Sequence, residues 1–532
     1  MKRNTNFRKV FLGVLALGAL VSCTDLEVEQ AQSIDAAAFE GITDPSSFIN
    51  GLYGAVNGYV GDQTNYFALS EVTSDEFLIP TRGGDWGDNG LWRQLHQHQW
   101  TSEHSFIANV WNQWNSLHFG ADQVLSPLTT AATPGDVANA QFLRALGVWV
   151  ILDHYGQVPR RDPEAPLTED PIVLRGQEAV DQIVTDLEAA IAGLPTEGPG
   201  ATNDRPSKAV ARYLLAKVLL NKHIYVGGSP DSGDMNRVVT LVDAITADGY
   251  ALADDYFDIF RETEDTETMW WLSFGVGNRI WNGLHYVSSP EIAGGGWNGF
   301  ATLAEFYDLF EGDENNNEVG NGQEERRGFV PTEGIAIGDF PGGSDSNGDG
   351  FADGTNQGFG FLIGQQYDYD GTPLNDRAGA PLTFKRDFRD GNGDLSLINN
   401  DETTGIRVLK YNPRFGGFTN HEIFFRYADA HLMKAEAIMR SGGDPTPLVN
   451  ELRIKRGANP LGSVSEQDLL DERGRELYEE TWRRNDMIRF GQFTRDWAFK
   501  DPAAVGNTDK NLYPIPASQI ILNPNLTQNP GY

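Results

Sequence analysis

The chain has 532 residues, 41 basic against 75 acidic, and a formal net charge of -34. This balance opposes nucleic acid and acidic polymers and favours neutral partners, although solubility in a salty medium accounts for the same charge. The length exceeds the ~250 to 300 residues at which one core stops growing, which implies several domains or a helical array. A single Cys excludes a disulfide framework.

Lys2, Arg3, Arg8 and Lys9 precede an apolar run over residues 10–21, and Leu20-Val21-Ser22-Cys23 closes it in small residues. This is the outline of a secretory signal over residues 1–22. The run is shorter than the ~20 residues needed to cross a bilayer. Leu-x-Ser-Cys is similar to a bacterial lipobox, so cleavage would leave Cys23 as an acylated N-terminus and a membrane anchor. The alternative is a chance Cys at the end of an ordinary signal. Residues 23–43, with Asp25-Leu26-Glu27-Val28-Glu29, read as a solvated tether.

Helical spacing then recurs along the chain. A helix is predicted over 44–59, capped near Asp44, with Phe48, Leu52, Val56 and Tyr59 on one face. Others follow over 106–125, over 138–155 (Phe142, Leu146, Trp149), over 176–194 (Ile183, Leu187, Ala190) before Pro195, and over 205–222 (Ala209, Tyr213, Ala216). Small residues such as Ala145, Gly147 and Ala216 suit closely packed helix pairs, as a tetratricopeptide-like array requires, but no 34-residue repeat is visible. The segment 61–100 reads as a loop region, and 251–420 as a large insertion rich in Gly, Asn and Asp with little β structure. Helices resume over 424–440 and 446–456. A long helix is predicted over 465–493, opened by a Ser465 and Asp468 capping box. Leu470, Leu477, Tyr478 and Trp482 form its apolar stripe, flanked by the i,i+4 pairs Arg475 with Glu479, Glu479 with Arg483 and Glu480 with Arg484.

The wording of the C-terminus is more specific than its periodicity. Glu472-Arg473-Gly474-Arg475-Glu476-Leu477, Asp486-Met487-Ile488-Arg489-Phe490-Gly491, Tyr513-Pro514-Ile515-Pro516 and the tail from Asn523-Pro524-Asn525 to Pro530-Gly531-Tyr532 resemble the SusD/RagB family of outer-membrane nutrient-uptake lipoproteins. Asp153-His154-Tyr155-Gly156 and Arg205-Pro206-Ser207-Lys208 resemble its helix boundaries. The resemblance implies a mostly α, tetratricopeptide-like scaffold: helical repeats over 44–250 with a binding loop at 61–100, a loop-rich ligand-binding insertion over 251–420, and C-terminal helices with an extended tail over 421–532.

Aromatics beside glycines and amides mark candidate ligand residues. Trp86 and Trp92 lie in the first loop region; Trp281, His285, Tyr286, Trp297 and Asn298 lie in the insertion. Indoles offer flat platforms to the C–H faces of pyranose rings, and amides read the hydroxyl rim. Each Trp taken singly could instead anchor a loop on the helices. Asp345, Asn347, Asp349, Phe351 and Asp353 have the spacing of the start of an EF-hand loop, with Asn356 in place of the terminal Glu. They read as a weak structural Ca2+ site or a solvated loop; no cofactor is required. The segment 390–396 is a poorer copy. His96 and His98 read as polar loop residues, and Glu305, Asp308 and Glu311 as unremarkable acids on a helix. No P-loop, dinucleotide fingerprint or nucleophile elbow appears.

The resemblance implies a non-catalytic, lipid-anchored protein on the outer membrane facing the exterior. It would capture oligosaccharide and deliver it to a SusC-like, TonB-dependent barrel. The negative charge points to a neutral glucan. Peptide capture in the RagB manner, a surface glycoside hydrolase and a purely structural scaffold are the alternatives.

Overall fold

The computed structural model describes residues 39–166, 168–200, 203–260, 264–273, 277–288, 296–318, 320–330, 358–367, 372–411 and 421–532. Cys23 and the Asp345, Asn347, Asp349, Phe351 and Asp353 set lie outside these residues. Helices dominate: α1 (Pro45–Gly61), α2 (Leu91–His96), α3 (Ser105–Leu125), α4 (Pro134–Tyr155), α5 (Gly176–Gly193), α6 (Lys208–Val226) and α7 (Ser232–Ala247). From α3 to α7 each helix packs on its successor, and α1 leans on α3, so the layer grows by sequential addition. This stepwise stacking of helix pairs is the tetratricopeptide-like arrangement. Gly147 eases the close approach of α3 and α4, because a Cβ there would lie 3.0 Å from the Trp114 carbonyl oxygen.

Boundaries differ from expectation where capping chemistry decides. α4 starts four residues early because Thr133 and Asp136 cap each other's backbone N–H across Pro134. α7, which the sequence reading passed over, is opened by Asp231 accepting from the N–H groups of Gly233 and Asp234. Met235, Val238, Leu241, Val242 and Ile245 form its buried stripe.

The insertion leaves and rejoins the helices through one antiparallel ribbon. Its strands are β3 (Thr268–Leu272) and β9 (Glu422–Arg426). β1 (Gln157–Arg160) pairs with β2 (Ile172–Arg175) outside the insertion. Within it, β4 (Gly328–Phe329), β5 (Phe359–Leu362) and β8 (Arg407–Leu409) form a three-stranded sheet, and β6 (Gly364–Gln365) pairs with β7 (Thr383–Phe384). All are short, so β structure is a minor part of the fold. Residues 424–426, predicted as the start of a helix, are therefore strand.

After α8 (Gly277–Gly283), the C-terminal helices are α9 (Tyr427–Arg440), α10 (Thr446–Lys455), α11 (Glu466–Leu477), α12 (Arg483–Arg489) and α13 (Ala517–Leu522). The expected long helix over 465–493 is two helices. Its capping box forms, but the chain breaks at 478–482, where Glu479 (φ 63°) and Thr481 (φ 71°) are left-handed. The three expected i,i+4 pairs are absent as well. Arg475 pairs with Glu472 at 2.6 Å, Arg483 with Asp75 at 2.7 Å, Arg484 with Asp153 at 2.9 Å and Arg426 with Glu480 at 2.7 Å. These charges are buried tertiary links, not a solvated flank. The tail is not simply extended, since it contains α13, and it returns to the scaffold. The Tyr513 N–H donates to the His154 carbonyl (2.8 Å), Asn529 Nδ2 donates to the carbonyls of Tyr155 and Tyr513, and Trp100 Nε1 donates to the Tyr532 hydroxyl.

The break lies beside a buried ionic network. Arg426 bridges Glu267 and Glu476 at 2.7 Å each; Arg456 reaches the same two at 2.5 and 3.0 Å; Arg326 holds Glu472 at 2.8 Å. Lys410 meets Glu480 at 2.5 Å, and all these side chains are sealed from solvent. Several cations around each carboxylate hold Glu472 down at about 2 against the opposing effect of burial. Next to the break lies a second group with the opposite balance. Glu71 and Glu76 are buried beside one another, Glu76 accepting from the Glu479 N–H at 2.6 Å. Burial pushes Glu71 up to about 8 and Glu479 to about 7, and burial plus the Glu71 charge raises Glu76.

Two outcomes are expected. Replacing Glu476 by Gln removes the shared acceptor of three guanidinium groups and should destabilise the fold by ~3–5 kcal/mol, read as a fall in the denaturant midpoint at constant m. A raised folded pKa means that stability is lost as pH rises through the interval between the unfolded and folded values. Wild type should therefore lose stability from about pH 4.5 towards 8 through Glu71, and Glu71→Gln should flatten that decline in thermal melts.

Candidate ligand-binding site

Three separated segments converge on one surface: the loop before α2, the stretch around α8 through residue 300, and the turn over residues 401–404. Trp86 sits at the tip of the first with φ 59°, between Gly83 (φ 58°) and Asp88 (φ 36°). A bulky residue in the left-handed region is a strained position, and strain of this kind persists only where the surroundings over-determine it. Here they do. Trp86 Nε1 donates to the Trp297 carbonyl at 2.8 Å, the Thr81 hydroxyl donates to the Trp86 carbonyl, and Arg82 and Asp85 exchange backbone hydrogen bonds. The Trp86 ring lies over Gly299, where a Cβ would come within 2.8 Å of it and 1.7 Å of Asn282 Oδ1. The glycine thus lets the indole close on the backbone rather than stand clear of it.

The second segment is laid against the end of α8 by main-chain bonds. Trp297 N–H donates to the Trp281 carbonyl (2.6 Å), and Asn298 N–H to the Leu284 carbonyl (2.7 Å). Trp297 is left 40% exposed, the most open Trp in the described residues. Trp86, Trp281 and Tyr286 are half-buried. The Tyr286 hydroxyl donates to Asp85 at 2.5 Å, and the Arg377 guanidinium lies over its ring, 3.7 Å from the centroid. Arg377 in turn pairs with Glu402 at 2.6 Å. One face of Tyr286 is therefore covered by a cation, and burial with the Asp85 carboxylate pushes its hydroxyl up to about 12.

Three predicted contact residues lie beneath this surface instead. Trp92 is buried, its ring edge-on to Trp86, Phe106 and Phe300, and it serves as the platform's support. His285 is buried next to Arg407, and burial with the nearby arginines lowers it to about 3, so it stays neutral. Asn298, buried with φ 54°, accepts on Oδ1 from Arg407 Nε and Nη2 and donates to the Glu402 carbonyl. Aromatic and amide residues next to glycines mark the region, but the pattern has no means of separating the outer layer from the layer that carries it.

Arg82 and Arg407 were not singled out in the sequence, and they hold the three segments together. Buried Arg82 donates to the Asn298 carbonyl at 2.9 Å and to the Thr404 carbonyl and hydroxyl at 2.7 and 2.6 Å. Burial pulls it down to about 9, and Arg407 is also lowered. Both bind neutral oxygens; the balancing carboxylates Asp85, Asp401 and Glu402 lie nearer the surface. Nothing in the sequence around an isolated arginine signals such a role.

The other expectations resolve separately. His96 and His98 are buried, bonded to the carbonyls of Ala498 and Thr73, and not in a polar loop. Glu305 pairs with Arg495, Asp308 with Arg386 and Glu311 with Arg453, so these three acids face different partners; only 304–307 is helical. The 390–396 loop is closed by Asp390 accepting from the N–H groups of Asn392 and Asp394. Among the described residues no group of three His, Cys, Asp or Glu side chains is placed to hold a metal. No helix there is long and apolar enough to cross a membrane.

Comparison with known proteins gives a consistent result. The chain is 27% identical to the starch-binding protein SusD of Bacteroides thetaiotaomicron, over 99% of this chain and 98% of that protein. Its fold matches a SusD-like protein from Bacteroides fragilis with a TM-score of 0.65 at 18% identity, covering 94% and 98% of the two chains. It also matches a laminarin-binding SusD-like protein with a TM-score of 0.63 at 18% identity, covering 93% and 100%. The sequence pattern that defines the SusD family spans residues 266–532, half of the chain through to its last residue, and the protein belongs to that family.

Proposed function

We propose that the protein is a non-catalytic glycan-binding lipoprotein, anchored through Cys23 at the outer face of the outer membrane. It captures a neutral glucan and passes it to a SusC-like, TonB-dependent barrel. The observation that carries this reading is the exposed Trp297 bonded to the strained Trp86 at the convergence of three segments. An indole held in advance loses little freedom when a sugar ring stacks on it, so the affinity is modest but needs no rearrangement. Asp85, Glu402 and Arg377 around Tyr286 give acceptors and a donor for the hydroxyl rim. Two carboxylates against one guanidinium disfavour a polyuronate. The starch- and laminarin-binding names of two relatives, both glucans without charge, support the same choice. Modest affinity also suits a delivery step, because a ligand that is to be handed on must leave.

Titration calorimetry with maltooligosaccharides, laminarioligosaccharides, alginate oligomers and peptides tests this. The glucans should bind without turnover and the others not; binding of alginate or peptide alone would refute the glucan assignment. Trp297→Ala should weaken binding about 30-fold, ~2 kcal/mol, with an unchanged melting temperature. Trp92→Ala should instead cost ~3–5 kcal/mol of stability, because it empties a core position. Cys23→Ser should move the protein from the membrane fraction to the soluble one.

A further inference from the structure

Across the 401–404 turn from the aromatic surface lies a cavity of about 930 Å³, within the range of small-ligand sites. Phe384 and Ile363 give it an apolar floor; Lys385, Arg386, Arg389 and Asp401 supply polar walls. The cations are paired at the wall itself: Lys385 with Asp401 at 2.7 Å, Arg389 with Asp387 at 3.0 Å, Arg386 with Asp308 at 2.6 Å. The first two pairs are about half exposed, so they add little to stability and their heads face the cavity solvent. A carboxylate beside a cation is an acceptor beside a donor, which matches a hydroxyl that must give one hydrogen bond and take another.

Two further features narrow the ligand. The lining carries three cations, Lys385, Arg386 and Arg389, against three carboxylates, Asp387, Asp390 and Asp401, and is electrically balanced in a chain of net charge -34. Gly364, Gly391 and Gly393 leave the space a Cβ would take empty, so bare main chain faces the cavity. A balanced, hydroxyl-matched, glycine-walled basin over a small apolar floor fits an uncharged polyhydroxylated ring better than an anion or a peptide.

The basin and the platform are also mechanically one piece. Asp401 and Thr404 line the cavity, while Glu402 between them holds Arg377 over Tyr286. Arg82 ties the turn to Asn298, next to Trp297, and Arg407 lies over the Phe384 ring, 4.5 Å from its centroid. We propose that this cavity is a second glycan subsite, which takes neutral sugar units of the same chain whose neighbours stack on Trp86 and Trp297. It rests on the glycan reading above, and makes the protein selective for chains long enough to cross the turn.

The test is a length series. Maltooligosaccharides and laminarioligosaccharides of two to seven units are titrated against the mature protein, a Lys385→Ala/Arg389→Ala variant, and Gly391→Leu, which fills the basin. Circular dichroism checks that each variant is folded. Wild-type affinity should rise with length, and both variants should bind the shortest ligand as wild type does but lose at least fivefold for the longest. Wild-type affinity that is flat with length, or variants that follow wild type at every length, overturns the subsite while leaving the platform. If wild type binds no member of either series, the glucan reading falls and the subsite with it.

Discussion

The fold depends on the buried cluster in which Glu476 accepts from Arg326, Arg426 and Arg456 while Glu267, Glu324, Glu472 and Glu480 take up further guanidinium contacts. Moving such charges out of water is costly, and their attraction offsets the cost only when every partner is in place. The partners come from distant parts of the chain: Glu267 just before β3, Arg326 deep in the insertion, Arg426 at the end of β9, Arg456 just after α10, Glu476 in α11. A partly assembled version leaves an uncompensated charge in the core. The cluster therefore couples the insertion to the C-terminal helices as one cooperative unit, and the left-handed residues at 478–482 are the backbone cost of turning Glu480 toward Lys410 and Arg426.

The same logic, on a smaller scale, builds the candidate ligand surface. Among the described residues Arg82 and Arg407 have no carboxylate at hydrogen-bond distance, so each is held by carbonyl, hydroxyl and amide oxygens in fixed directions. Those oxygens belong to Asn298, Glu402, Thr404 and Gly405, which are thereby locked together. The rings above rest on this frame: the half-buried Trp86 is tied through its indole N–H to the main chain of the exposed Trp297, and Trp92 fills the space below. A surface ordered in advance by its own hydrogen bonds loses no loop freedom on contact with a partner, which is the condition that the proposed stacking of a glycan requires.

Much of the scaffold was legible. Helix positions in α1, α3, α5 and α6 follow from apolar spacing, because a 3.6-residue period reflects a local demand, one face inward, that each segment meets by itself. The Ser465 and Asp468 box and the Pro195 stop are equally local. The candidate region was marked in the sequence, where aromatics cluster beside glycines and amides. It was not legible as a surface: Trp92, Asn298 and His285 carry the same local signature as Trp86 and Trp297 but lie one layer lower.

What the sequence determined by itself is therefore what neighbouring residues decide among themselves: helix periods, caps, the C-terminal family motifs and the concentration of rings in two loop-rich regions. The tertiary structure alone decided which charges were buried, where the last long helix breaks, and which indole faces solvent. The reason is that a charge or a ring is placed by partners hundreds of residues away. Asp75 waits for Arg483, Arg82 for Thr404, and Trp86 for the carbonyl of Trp297.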